Sequence, residues 1–164
     1  MSADVKVRRA EAGDGPQLVE LNALVQGAHV AAEPGVFKPA RADEVAAWFA
    51  AGFDSGSLRA WVAFAGAELV GYVTVLAQQR DEHVFCYARA WWEVDQLGVR
   101  PAWRRRGVAR ALLHAVAAEA ERAGVAQLQL STWSFNAGAL EAWRHLGFEP
   151  QATRFAIDPR QLGA

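Results

Sequence analysis

The chain predicts an α/β fold built on a mixed sheet. Its first strand-like segments are joined by a hairpin turn, its later ones are separated by helical segments, and the spacing of apolar residues switches between two and 3.6 along the sequence. With 164 residues, 52% of them hydrophobic and seven of them tryptophan, it has the length and the core material of one domain, expected over 1–164. A chain of this size buries about 70% of its unfolded surface and folds without staples.

The elements follow in order. Val5, Lys6, Val7 and Arg8 alternate like an edge strand. Asp14 with Gln17 reads as a capping signal for a helix carrying Leu18, Leu21, Leu24 and Val25. Residues 27–39, with Pro34, Gly35 and Pro39, read as a loop, and Asp43 opens a second helix bearing Val45, Trp48 and Phe49 that stops at Gly52. Strands are expected over 58–65 and 68–76 around the Gly66-Ala67 turn, with 78–83 a polar connection. Residues 84–99 are aromatic and β-favouring, their later part, 92–99, being the clearest strand; Gly98 marks a bulge or a close backbone approach. Residues 107–123 form a helix with Val108, Leu112, Ala115 and Val116 on one face, ended by Gly124. A short strand at Leu128 and Leu130, a helix over 137–146 and a last strand over 152–157 complete the reading.

Bulk properties exclude several classes of function. The formal charge is −1, so nucleic acid is not an expected partner. Cys86 is the only cysteine, which excludes an internal disulfide and fits a reducing cytoplasm. No apolar run approaches the roughly 18 residues of a membrane span, and the first residues carry no leader-like stretch, so a cytoplasmic protein without a membrane partner is expected. His29, His83, His114 and His145 have no paired metal spacing, and no metal is expected.

The most informative stretch is Arg104-Arg105-Arg106-Gly107-Val108-Ala109, followed by Arg110. It joins a strand ending at Val99 to a helix with no Ser, Thr, Asp or Asn near its start, so the first backbone N–H groups lack a side-chain acceptor in the local sequence. Arginines beside an open, partially positive helix start suit a pyrophosphate. The nucleotide-binding patterns with Lys-Ser/Thr after a glycine loop, or with three spaced glycines, are absent, and the only lysines are Lys6 and Lys38.

This order, R-x-x-G-x-A preceded by Asp95 to Pro101, resembles motif A of the GNAT superfamily of acyl-CoA-dependent N-acyltransferases. Asn136 and Ala139, then Gly147-Phe148, match the spacing of that family's second signature, and the strand carrying Gly71 matches the one before motif A; the resemblance covers about 5–158. It implies a single-domain GNAT-type fold, with a mixed, mostly antiparallel central sheet flanked by helices, and acetyl-CoA as cofactor. Arg104, Arg105, Arg106, Gly107, Val108, Ala109 and Arg110 would hold the pyrophosphate, and Leu97, Gly98 and Val99 would pair with the pantetheine arm. Asn136 matches a residue that contacts the cofactor, its other reading being a helix N-cap. Trp143 stands where many members place a tyrosine that protonates the leaving thiolate; an indole N–H donates a hydrogen bond but supplies no proton. Tyr72, Tyr87 or Ser131 are the available substitutes.

Acyl transfer to an amine needs a base, because an alkylammonium is only on the order of one part in 10³ neutral at pH 7. Two residues apart on a strand, Glu93 and Asp95 are expected on one face, shared with Leu97 and Val99. In members that use a strand carboxylate it lies six residues before the position of Val99, here Glu93, with Asp95 the second candidate. The expected function is direct acetyl transfer to a primary amine of a small molecule or peptide, by a chain able to form a homodimer. A non-catalytic acyl-CoA sensor of the same fold and an Arg-rich nucleic-acid module are the alternatives.

Overall fold

A computed structural model describes residues 5–163, so the outermost residues of the expected 1–164 domain, 1–4 and 164, lie outside the described residues. Contacts divide the chain into two compact units, Met1–Ser131 and Thr132–Ala164.

The first unit is a five-stranded sheet in the order β1-β2-β3-β4-β5, made of β1 (Lys6–Arg9), β2 (Leu58–Ala65), β3 (Glu68–Arg80), β4 (Arg89–Val99) and β5 (Leu128–Leu130). All neighbours are antiparallel except β4 and β5, which run parallel. The helices are α1 (Gly15–Ala32), α2 (Ala42–Ser55) and α3 (Val108–Arg122).

β2 and β3 read as near-continuous apolar runs because both of their faces are covered. On one face Val62 and Tyr72, paired across the ladder, join Leu58 and Leu69 against Leu18 and Leu21 of α1 and Phe49 of α2. On the other, Gly71 lies so close to α3 that a Cβ there would meet Val108 Cγ1 at 2.8 Å and Leu112 Cδ1 at 3.3 Å. Val108, Leu112, Leu113, Val116 and Ala120 form the buried stripe of α3, at the spacing expected of an amphipathic helix.

Several expectations are corrected. α1 runs through Gly27 to Ala32, so 27–32 is helix and not loop; Glu33 N–H still bonds to His29 C=O at 2.9 Å. Asp14 does not cap α1: its carboxylate takes Arg8 at 2.8 Å and the Glu11 N–H at 2.8 Å, while Gln17 Oε1 accepts from Leu69 N–H at 3.1 Å. α2 passes Gly52, where the absent side chain makes room for Leu58, and ends at Gly56 with φ +69°. β3 continues through 77–80, because β4 begins at Arg89 and supplies a partner as far as Arg80. Residues 84–88 therefore lie outside the strand, in a tip closed by mutual His83 and Cys86 backbone bonds of 3.0 and 3.1 Å.

The second unit holds α4 (Ala137–His145), close to the expected helix. The expected strand over 152–157 does not form: the segment pairs with no described strand, and Phe155 and Ile157 remain exposed. An alternating pattern makes a strand only where a ladder partner exists.

Candidate functional site

The β4 strand carries the chemistry, and its register decides where each side chain points. Gln96 pairs with Thr74 and Val94 with Val75, so Asp95 is an extra residue with no partner across the ladder, a β-bulge. Paired residues share a face. Glu93 opposite Leu76, and Gln96 and Gly98 opposite Thr74 and Tyr72, therefore lie on the α1/α2 face with Asp95 between them. Val94, Leu97 and Val99, opposite Val75, Val73 and Gly71, lie on the α3 face. Glu93 and Asp95 thus do not share a face with Leu97 and Val99 as simple alternation predicts, since the extra residue inverts everything beyond it.

The same strand has an open edge. β5 pairs only with Trp92, Glu93 and Val94. Farther on, Arg100 N–H bonds to Val70 C=O at 2.9 Å, so the main chain of Arg100 faces β3 and, by antiparallel alternation, that of Leu97 and Val99 faces away from it. The Val99 carbonyl accepts from Arg104 Nε at 3.2 Å, which ties the arginine loop to the strand end. Gly98 marks a close approach and not the bulge itself: a Cβ there would sit 2.6 Å from the Tyr72 ring and 2.9 Å from Val25 Cγ2.

The loop after β4 turns through Pro101–Trp103 and reaches α3 with Arg105 at φ +59° and Gly107 at φ +83°. Gly107 is the N-cap of α3, and no side chain caps it; the first helical bond is Ala111 N–H to Gly107 C=O at 2.9 Å. First-turn amides, including those of Val108 and Ala109, thus have no side-chain acceptor. Arg106 lies 5.3 Å over the Trp103 ring, and among the described residues Arg104, Arg105 and Arg106 make no ion pair. Arg110 lies in the first turn of the same helix. The uncapped amides and the guanidinium groups of Arg104, Arg105 and Arg106 together fit an anionic pyrophosphate.

The two carboxylates differ in surroundings. Glu93 is half-buried, takes a hydrogen bond from Trp91 Nε1 at 3.0 Å and a long one from Ser131 Oγ at 3.5 Å. Asp95 is exposed by surface area, yet protein atoms crowd its carboxylate; this desolvation, then the Glu93 charge, raises its pKa above the usual aspartate value, with hydrogen bonding to Gln96 and Thr74 pulling partly back. Of the substitute acids, Tyr72 is fully buried and its pKa is raised well beyond the usual tyrosine value by burial, which unfits it to give up a proton. Tyr87 is exposed at the hairpin tip, and Ser131 is the hydroxyl beside Glu93. Sequence reading missed Asn22, Thr74 and Gln96, which surround Tyr72 and Asp95; only the polarity of Thr74 and Gln96 inside apolar strands signals them.

In the second unit Asn136 is a helix N-cap, its Oδ1 accepting from Ala139 N–H at 3.1 Å. Trp143 donates its Nε1–H to Thr132 Oγ1 at 2.6 Å and meets Phe148 edge to face at 5.8 Å.

Comparison with known proteins places this arrangement. The model of the acetyltransferase (GNAT) family matches residues 24–148. Among solved structures, a tetramutant of the BH1408 protein from Bacillus halodurans is 20% identical with a TM-score of 0.83, covering 93% of this chain and 99% of that one. The aminoglycoside N-acetyltransferase AAC(6')-Iy in complex with CoA is 18% identical with a TM-score of 0.78, covering 98% and 97%. An aminoglycoside acetyltransferase, meta-AAC0020, from an uncultured soil metagenomic sample, seen with sisomicin, is 18% identical with a TM-score of 0.67, covering 94% and 95%. No curated protein matches the chain significantly. At this identity the solved structures speak for the fold, while the family match spans most of the chain and includes both the bulged strand and the arginine loop. The chain belongs to the acetyltransferase (GNAT) family.

Proposed function

We propose that this chain, acting as one domain over 1–164, moves an acetyl group directly from acetyl-CoA to a primary amine. The observation that carries the proposal is the uncapped start of α3, with three arginines before it, beside the edge of β4 that β5 leaves open beyond Val94. Arg104, Arg105, Arg106, Gly107, Val108, Ala109 and Arg110 would hold the pyrophosphate, and the outward-facing main chain of Leu97 and Val99 would pair with the pantetheine amides across from Gly98. Asn136 and Trp143 are the cofactor contacts proposed from the second unit. Acetyl-CoA, when bound, supplies an activated thioester.

The chain's own residues then have two tasks. One is to take a proton from the acceptor ammonium, since the protonated amine cannot attack. Asp95 and Glu93 stand together on the α1/α2 face, and burial moves the pKa of Asp95 up, toward the range a general base needs, so Asp95 is the base of this proposal; Glu93, held by Trp91, stands beside it. The other task, protonation of the leaving thiolate, has no dedicated acid, and a thiol pKa near 8.5 lets the thiolate leave without one. The solved relatives that take aminoglycosides agree with an amine acceptor. Among the described residues no helix is long and apolar enough to cross a membrane; a cytoplasmic setting is part of the proposal.

A thiol-release assay with acetyl-CoA over a panel of amines and peptides tests the reaction, and calorimetry tests the site. Gly107→Glu should abolish CoA binding while the circular dichroism spectrum stays folded: the side chain enters open space, so no packing is lost, its carboxylate repels the anion, and the left-handed φ of +83° adds backbone strain of about 1–2 kcal/mol confined to this loop. Unchanged CoA affinity in that variant sinks the assignment. Tight CoA binding without turnover of any amine would favour the sensor reading.

A further inference from the structure

Beneath the β4 bulge lies a set of polar side chains that acetyl transfer, as proposed above, leaves without a role. Thr74 is fully buried, and its Oγ1 accepts the Gln96 N–H at 3.0 Å, in place of the backbone acceptor that the register slip removes. Gln96 Oε1 accepts twice, from Asn22 Nδ2 at 2.8 Å and from the Tyr72 hydroxyl at 2.9 Å. A carboxamide whose oxygen holds two donors is fixed in orientation, and its NH₂ group is turned away from them. Asn22 also approaches the Tyr72 oxygen at 3.4 Å, so α1, β3 and β4 meet in one chain of hydrogen bonds. No buried side-chain polar atom among the described residues lacks a partner. Apolar residues of similar size would fill this space without the desolvation cost of four polar ones, so packing alone does not account for them.

We propose that Asn22, Tyr72, Gln96 and Thr74 are positioning residues that lock the β4 bulge and hold the Asp95 carboxylate on the acceptor side of the sheet, with the Gln96 amide and the Thr74 hydroxyl as its donors. Three features fit. The Thr74 oxygen is occupied as an acceptor, which leaves its proton to give. The Gln96 NH₂ is the one arm of that side chain not used by Asn22 or Tyr72. The bulge inserts Asp95 directly before Gln96, across from Thr74 and Val75, so both free donor groups lie beside its carboxylate, where they favour its ionised form against desolvation. The ionisable groups acting on Asp95 are Glu93 on its own strand and Tyr72 on β3. Asn22 from α1 and Thr74 from β3 do not titrate. The network's part in catalysis rests on the acetyl-transfer reading; its hold on Asp95 does not.

The test is carboxyl-carbon NMR titration of the full chain carrying ¹³C-labelled aspartate, with the Asp95 signal identified by its loss in Asp95→Asn. In Thr74→Val and in Gln96→Leu the Asp95 pKa should rise by about one to two pH units, what one lost hydrogen bond to a carboxylate is worth. Thr74→Ser should bring it back. Tyr72→Phe removes one of the two donors that orient Gln96 and should give a smaller rise, and it keeps the test open if Gln96→Leu fails to fold. The ascending limb of kcat/KM against pH should move to higher pH with the titration, while acetyl-CoA affinity stays constant. An unmoved Asp95 titration in both Thr74→Val and Tyr72→Phe overturns the proposal. If the titration moves in these variants while the wild-type chain acetylates no amine, the network is upheld and the acetyl-transfer reading removed; wild-type turnover with an unmoved titration in the variants does the reverse.

Discussion

Two carboxylates on one strand differ because one is in register and the other is not. Glu93 sits opposite Leu76 and Gln129 in the ladder and has an indole N–H as partner; Asp95 is the inserted residue, with no partner across the ladder. The expected kinetic outcome is a loss of about 10²–10⁴-fold in kcat for Asp95→Asn, the usual span for a removed proton acceptor, with acetyl-CoA affinity unchanged. Glu93→Gln should cost less, and should move the pH limb downward, because the charge that helps raise the Asp95 pKa is gone. A larger loss in Glu93→Gln than in Asp95→Asn would return the base to Glu93. Stability carries an independent sign. The folded pKa of Asp95 is raised, so its favourable contribution is full below the unfolded pKa and is lost as pH rises through the folded one. Asp95→Asn should therefore raise Tm at pH 7 and leave it unchanged near pH 3. Asp14 behaves oppositely: Arg8 holds its pKa down, so its contribution is present above the ordinary aspartate range and is lost as pH falls through the lowered value.

Among the elements, the glycines show where backbone and side chains come closest. Gly98→Ala should drive a methyl into the Tyr72 ring and Val25, and Gly71→Ala into Val108 and the Gly98 carbonyl. Each should destabilise by about 1–3 kcal/mol in denaturant melts, the usual cost of overfilling a packed core. Gly98→Ala should also lower acetyl-CoA affinity by displacing the strand that carries the open edge. If both substitutions are neutral, the sheet has more room here than the packing implies. Most of this region was legible in the sequence: Arg104 to Ala109 announced an uncapped helix, Gly98 announced a bulge or a close approach, and the stripe of α3 announced its buried face, while the close approach at Gly71 came only with the structure. The bulge at Asp95 was not legible, because a register slip is fixed by the partner strand and leaves no local mark. The same limit explains 152–157, where Phe155 and Ile157 alternate like a strand but no described strand pairs with them. The Tyr72–Gln96–Asn22 contacts span separations of 24 to 74 residues and depend wholly on how α1 packs on the sheet.

For the whole molecule, charge and apolar surface concentrate at different places. The net charge is −1, so the arginine loop is a local basic patch on a nearly neutral chain. The β3–β4 tip presents Val84, Phe85 and Tyr87 at 89%, 88% and 86% exposure, three large apolar side chains within four residues and held out by the His83–Cys86 backbone bonds. Single exposed apolar residues are ordinary, but a group this dense is the kind of patch that contact surfaces carry. A second copy of the chain is the partner we propose, since a two-fold contact lets one tip meet another with the same side chains. Light scattering at micromolar concentration should then give about twice the 17.8 kDa chain mass. Replacing Val84 and Phe85 by serine should return it to about the chain mass, with CoA affinity unaltered because the tip lies at the far end of β4 from the arginine loop. Dissociation on dilution should follow mass action, and thermal stability should fall with it. A wild-type mass near 17.8 kDa would exclude a stable dimer and leave the tip as a surface for some other ligand.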